Sequence, residues 1–206
     1  MPTAREALLA AAARAVSVQP WTGVRMVDVA AAAGVSRQTL YNEFGSKEGL
    51  GAALVERCVE TFLDGAVRAA ADAGRRGADP AGCCAASAAW MLRAARDEPV
   101  VHAALTGSWD SAMPVPGGGP APGGGRSCRE PGGLASVLRD RMIAGMGASG
   151  RPAAQPSRIP QQQRLGRACE VGLRMALSYV VAPVEAPDDE TCAGIGDVVR
   201  SLLPER

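Results

Sequence analysis

Residues 24–50 read VRMVDVAAAAGVSRQTLYNEFGSKEGL, and this stretch decides the fold. Two short helical segments flank Gly34. The first carries small residues, Ala30 and Ala33, at the positions where a second helix would cross closely. Gly34 stands where a helix stop calls for a left-handed residue. Val35 plugs the angle between the segments, and Ser36 is placed to cap the second one. Leu40 and Phe44, four residues apart, turn one face of that segment inward. Its other face is Arg37, Gln38, Thr39, Tyr41 and Asn42, side chains of the types that read base edges or hold phosphates. The pattern predicts a helix-turn-helix whose second helix meets DNA. The rival is an ordinary helix hairpin with a solvated polar face. Such a hairpin needs neither the Ala-Gly-Val-Ser turn nor so dense a polar set with so few charges.

Outward from the motif, helical spacing dominates, and no sustained alternation of β-branched residues is present. From Thr3 to Val18 the apolar residues Leu8, Leu9, Ala12, Ala15 and Val16 recur at helical intervals, with Thr3 and Glu6 arranged as a capping box. Pro20 and Gly23 break the chain before the motif. Ser46 caps a long helix to about Ala73, with Leu50, Leu54, Cys58, Phe62 and Val67 on one side. Residues 74–80 read as a turn, and helices are expected over 81–96 and from Pro99 through Leu105. The stretch 114–125 holds four prolines and six glycines and reads as a flexible loop. It is expected to be mobile and to lie near the mouth of a ligand cavity, or else to be a plain surface insertion. An amphipathic helix follows over 134–146, then a loose linker over 147–160. Two more helices are expected over 161–181 and 188–203, the last with Asp188, Asp189 and Glu190 at the positive end of its dipole. The fold class is all-α.

The chain has 206 residues, between one and two domains at a prior of ~150 residues each. With 47% hydrophobic and 21% charged residues, a buried core is expected and global disorder is not. A net charge of +1 excludes a polybasic protein held to nucleic acid by bulk charge, though not a small local contact surface. Lys47 is the sole lysine. No apolar run approaches the ~20 residues that span a bilayer, and the N-terminus lacks the basic-then-apolar order of a signal peptide. A soluble, cytoplasmic protein without membrane association is expected. The six cysteines include no C-x-x-C pair and there is one histidine, so no metal site is expected. The adjacent Cys83 and Cys84 read as buried thiols, with a redox or metalloid sensor as the alternative.

At the V-A-A-A-A-G-V-S turn, the T-L-Y-N-E-F helix and the S-K-E-G-L start of the next one, the sequence resembles the TetR family of bacterial transcriptional regulators. The resemblance covers roughly the first third of the chain. It implies a helix-turn-helix DNA-binding domain over residues 1–48, continuing into the long helix from Ser46. It also implies a helical effector-binding and dimerisation domain over 49–206. By resemblance, Tyr41 and Lys47 would hold operator phosphates, Arg37, Gln38, Thr39 and Asn42 would face bases and the adjacent backbone, and Ser36 is counted with them in the DNA-binding set. Where the family often has Thr or Ser before the motif, this chain has Val24 and Arg25, and Arg25 either replaces that phosphate contact or is simply solvated. An aromatic that often closes the first helix is replaced by Val16, with Trp21 available to fill the space.

The resemblance further implies double-stranded operator DNA, a homodimer and an apolar or amphipathic small-molecule effector as partners, with no cofactor. Candidate ligand-lining residues are Phe62, Trp90, Met91, His102, Leu105, Trp109, Met142 and Tyr179, and core packing is the competing reading for each. The last two helices place Leu165, Cys169, Gly172, Leu173, Ala176 and Val180 on one stripe, and Ile195, Val198, Val199 and Leu202 on another. These stripes either form a four-helix dimer seam or pack on the chain's own core. The functional reading is a ligand-responsive regulator, a repressor first and an activator second. An adaptor that lost DNA binding is opposed by the intact polar face from Arg37 to Asn42. A small all-α enzyme is opposed by a single histidine, no carboxylate pair at catalytic spacing and no Gly-rich phosphate loop.

Overall fold

The computed structural model describes residues 3–116, 131–148 and 158–203. Among these, nine α-helices and one 3₁₀ turn are present and no strand. The helices are α1 (Ala4–Val16), α2 (Met26–Ala33), α3 (Arg37–Phe44), α4 (Lys47–Arg75), α5 (Pro80–Asp97), α6 (Pro99–Thr106), α7 (Pro131–Ala148), α8 (Arg158–Val181) and α9 (Asp188–Ser201), with the 3₁₀ turn at Trp21–Gly23. No helix among the described residues is long and apolar enough to cross a membrane.

The chain forms two compact units. One comprises Met1–Glu60 with Ser108–Gly124, and the other Thr61–Gly107 with Gly125–Arg206. In the first, α1 begins at the expected capping box: Thr3 Oγ1 accepts from the Glu6 amide at 3.2 Å, and the Glu6 carboxylate accepts from the Thr3 amide at 2.7 Å. Leu8, Leu9, Ala11 and Ala12 of α1 bury against Val29 and Ala30 of α2, Leu40 of α3, and Leu50, Ala53 and Leu54 of α4. These α4 residues close the core of the N-terminal helices, which is why the first half of α4 clusters with them. Trp21 fills the gap after α1, buried beside Val24.

The segment after α6 returns to this same unit. The Trp21 amide donates to the Ala112 carbonyl at 2.6 Å. Pro114 is buried and, with the Trp21 ring, lies against Gly51, where a Cβ would fall 2.9 Å from Trp21 and 3.2 Å from Pro114. The loop expected over 114–125 therefore begins packed on the N-terminal helices, where Pro114 has an apolar seat. Residues 117–125 lie outside the described residues.

In the second unit, α5 packs against α8 and α9, and α7 lies against α8. Asp79 caps α5, its carboxylate accepting from the Gly82 amide at 2.7 Å, with Pro80 in the first turn. Two boundaries differ from the sequence reading. The linker expected over 147–160 is helical at both ends, since α7 reaches Ala148 and α8 starts at Arg158. Pro160 marks no boundary because a first-turn amide has no intrahelical acceptor to lose.

Candidate nucleic-acid interface

The turn between α2 and α3 is built as its residues dictate. Gly34 adopts φ 69°, the left-handed conformation that a helix stop requires, and the Val35 amide returns to the Ala30 carbonyl at 3.1 Å. Ser36 then caps α3, its Oγ accepting from the Thr39 amide at 3.0 Å and lying 2.8 Å from the Thr39 hydroxyl. Leu40 is fully buried and Phe44 partly so, which fixes the rotation of α3 about its axis. Arg5 lies over the Phe44 ring, 4.8 Å from its centre, and 3.8 Å from the Glu43 carboxylate, tying α1 to the end of α3.

That rotation leaves Arg37, Gln38, Tyr41 and Asn42 exposed together on the outer face. Gln38 donates to the Asn42 carbonyl oxygen at 2.8 Å, an i,i+4 pair that holds both amides along the helix surface. The remaining donors and acceptors of the two amides point away from that bond and stay available to base edges. Tyr41 is 49% exposed, an aromatic with a hydroxyl at its tip on an otherwise polar face. Ser36 and Thr39 are committed to the cap, so both of these predicted contacts act first as structure.

Lys47 opens α4. Its Nζ donates to the Thr22 carbonyl at 3.1 Å and lies 5.3 Å from the centre of the Trp21 ring. The ammonium thereby keeps donors to spare while its flexible stem is held in place. The sequence reading assigns Lys47 to an operator phosphate but not to this seat; the only hint is Trp21, three residues before the motif. Arg25 makes a fork with Asp28, with Nε to Oδ2 at 2.7 Å and Nη2 to Oδ1 at 3.2 Å. Both side chains are at least half exposed, so solvent screens the pair, it contributes little to stability, and a phosphate can take the guanidinium over.

The predicted ligand residues do not come together. Phe62, Met91 and Leu105 are buried in the core of the second unit, and Trp90 donates from Nε1 to the Phe62 carbonyl at 3.0 Å while its ring covers Gly65. His102 is exposed, Tyr179 is half-buried, and Trp109 belongs to the first unit. Aromatic and methionine spacing identified core and not cavity. Met142 alone of the eight lines a cavity of about 510 Å³ in the second unit. Its other walls are Val67, Ala70, Ala71, Gly74, Arg75, Ala78, Pro80, Cys83 and Leu165. Small residues line the space because they leave it empty, and their spacing carries no such mark in the sequence.

The proposed dimer stripe is also corrected. Cys169, Leu173, Ala176, Ile195 and Val199 are buried within the single chain, and a Cβ at Gly172 would fall 2.7 Å from Val199. Leu165 lines the cavity. These residues join α8 and α9 to each other and to α5. Leu202, at 48% exposure just past the end of α9, is the exception, and with Val171 and Val181 of α8 and Val198 of α9 it is an apolar position open to solvent.

The family model for bacterial regulatory proteins of the tetR family matches residues 8–54. Over 69 residues the chain is 41% identical to the HTH-type transcriptional regulator AlkX of Mycobacterium tuberculosis, a stretch that is 34% of this chain and 32% of that relative. The match thus spans about a third of either protein. The fold extends further. A TetR family repressor AlkX from Dietzia sp., implicated in biodegradation of n-alkanes, superposes with a TM-score of 0.58 at 21% identity, covering 96% of this chain and 98% of that one. A tetR-family transcriptional regulator from Streptomyces coelicolor gives 0.55 at 17% identity, covering 98% and 82%. At such identities the likeness is one of fold alone. Over residues 8–54 the chain is thus similar to the N-terminal domain of the tetR family of bacterial regulatory proteins, and beyond it the likeness is one of fold.

Proposed function

We propose that the protein is a repressor that binds a palindromic operator as a homodimer and is released by a small-molecule effector. The observation that carries the reading is the face of α3, where Arg37, Gln38, Tyr41 and Asn42 stand exposed on a helix whose rotation is set by buried Leu40. Lys47 at the start of α4 adds a seated cation beside it. In a dimer the two α3 helices enter successive major grooves, ~34–36 Å apart. Arg37, Gln38 and Asn42 meet base edges and backbone, and Tyr41 and Lys47 hold phosphates.

The effector is apolar or amphipathic and occupies the cavity of about 510 Å³. Val67, Ala70, Met142 and Leu165 offer it an alkyl wall, and Arg75 offers the single charge. It acts by preferring a conformation that binds operator poorly, and by no more than its differential affinity for the two states. Helix α4, continuous from Lys47 to Arg75, is the route of the coupling. The second copy meets this chain on the exposed sides of α8 and α9, at Val171, Val198 and Leu202.

Gel-shift and footprinting on the DNA upstream of its own gene test the reading. A two-fold symmetric protected site with half-sites one helical turn apart is expected. Folded protein that binds no DNA above the non-specific level refutes it.

A further inference from the structure

We propose that Cys84 and Cys169 form a dithiol that hydrogen peroxide oxidises to a disulfide, pinning α5 to α8. The two residues are 85 positions apart, yet their sulfurs lie 3.1 Å apart in the core of the second unit. Cys84 is 1% exposed and Cys169 fully buried. A disulfide needs ~2.05 Å, so the sulfurs have about 1 Å to close. Gly172, one turn along α8 from Cys169, also faces Cys84, where a Cβ would sit in ordinary contact 3.9 Å from the Cys84 Cβ, so α5 and α8 are packed along this line.

The chemistry is polarised within the pair. The Cys84 thiol donates to the Cys169 sulfur, which holds Cys169 below the usual thiol range and pushes Cys84 above it, with burial opposing ionisation of both. Cys169 is therefore the sulfur that ionises first and attacks. Its thiolate displaces hydroxide from the peroxide O–O bond and becomes a sulfenic acid. The Cys84 sulfur then attacks that sulfur, forms the S–S bond and expels water. The balance is two thiols plus one hydrogen peroxide giving one disulfide and two waters. The oxidant is small, and the cavity of about 510 Å³ reaches the α5 turn at Cys83, next to Cys84. The rival is that two small apolar side chains merely pack. The pair stands independently of the DNA-binding reading.

The test is peptide mapping of the intact full-length protein after hydrogen peroxide, with free thiols alkylated and no reductant added. The expected result is a Cys84–Cys169 linked peptide from protein that keeps its helical circular dichroism. Titratable thiols under denaturing conditions should fall from the six in the sequence to four, and dithiothreitol should restore them. Closing so long a loop should raise Tm by roughly 5–10 °C. Cys169→Ser should abolish the linked species. Peroxide that consumes thiols without producing this linkage overturns the proposal. So does a linkage found only in protein that has lost its helical signal.

Discussion

Replacing Lys47 by alanine separates electrostatic from base-reading contributions at the proposed operator. In the free protein the Lys47 ammonium is held by the Thr22 carbonyl at 3.1 Å and by the Trp21 ring at 5.3 Å. Neither partner neutralises it, so its charge is available to one phosphate. Each neutralised phosphate contributes a slope of about −0.9 to log K against log salt. A dimer that loses both copies should flatten its slope by ~1.8 units. Between roughly 50 and 200 mM salt, a fourfold change, the parent should lose about 3.5-fold more affinity per subunit than the variant, or ~12-fold per dimer. The loss should be equal on operator and non-specific DNA, because a phosphate carries no base identity. Fluorescence anisotropy with labelled duplexes across a salt series measures it, and Lys47→Arg should keep the parental slope. If Lys47→Ala leaves the slope unchanged, the seated cation does not meet a phosphate and the role assigned to the start of α4 is wrong.

Gln38→Ala should relax preference at one or two base pairs, at a cost of ~1–3 kcal/mol against the preferred base; selected binding sites identical to the parent's would remove Gln38 from the base readers. Val198→Glu should yield folded monomers with weakened operator binding, whereas Leu173→Glu should unfold the second unit, since Val198 is 36% exposed and Leu173 only 1%. Light scattering combined with circular dichroism distinguishes the two, and a dimeric Val198→Glu would place the interface elsewhere. Gly65→Ala should destabilise by ~1–3 kcal/mol, because the added Cβ would fall within the Trp90 indole, 2.7 Å from Nε1. An unchanged urea midpoint, read by tryptophan fluorescence, would contradict that packing. Glu170 is held below the usual carboxylate range by Arg174 first and Arg139 second, so its contribution is present above the unfolded value of ~4.3 and fades as pH falls through the folded value. Glu170→Gln should therefore lower Tm near neutrality and converge with the parent as pH falls through the lowered folded value; parallel Tm–pH curves would deny the linkage.

Much of the N-terminal unit was legible because its signals are local. The Thr3–Glu6 box, the left-handed Gly34 and the Ser36 cap each act within four residues, where side-chain chemistry dictates the backbone directly. Burial of Leu40 followed from helical spacing alone, and with it the set of residues facing outward on α3. The seat of Lys47 was not legible, since it joins residues 25 positions apart through a turn.

In the C-terminal half, periodicity identified which residues of α8 and α9 are apolar but not what covers them. A stripe such as Cys169, Leu173 and Ala176 suits a partner subunit and the chain's own α5 equally well, and only packing showed that α5 and α9 already cover it. The Cys84–Cys169 approach likewise joins residues 85 positions apart and depends on how α5 packs on α8. Trp109 fell with the N-terminal helices because the chain after α6 turns back to Trp21. The sequence by itself determined the helices, their caps and the polar face of α3, through interactions that end within one or two turns. The tertiary structure alone decided which apolar faces meet, where small residues leave a cavity and which thiols touch. Those outcomes depend on partners tens of residues away, and one-dimensional spacing cannot encode such a distance.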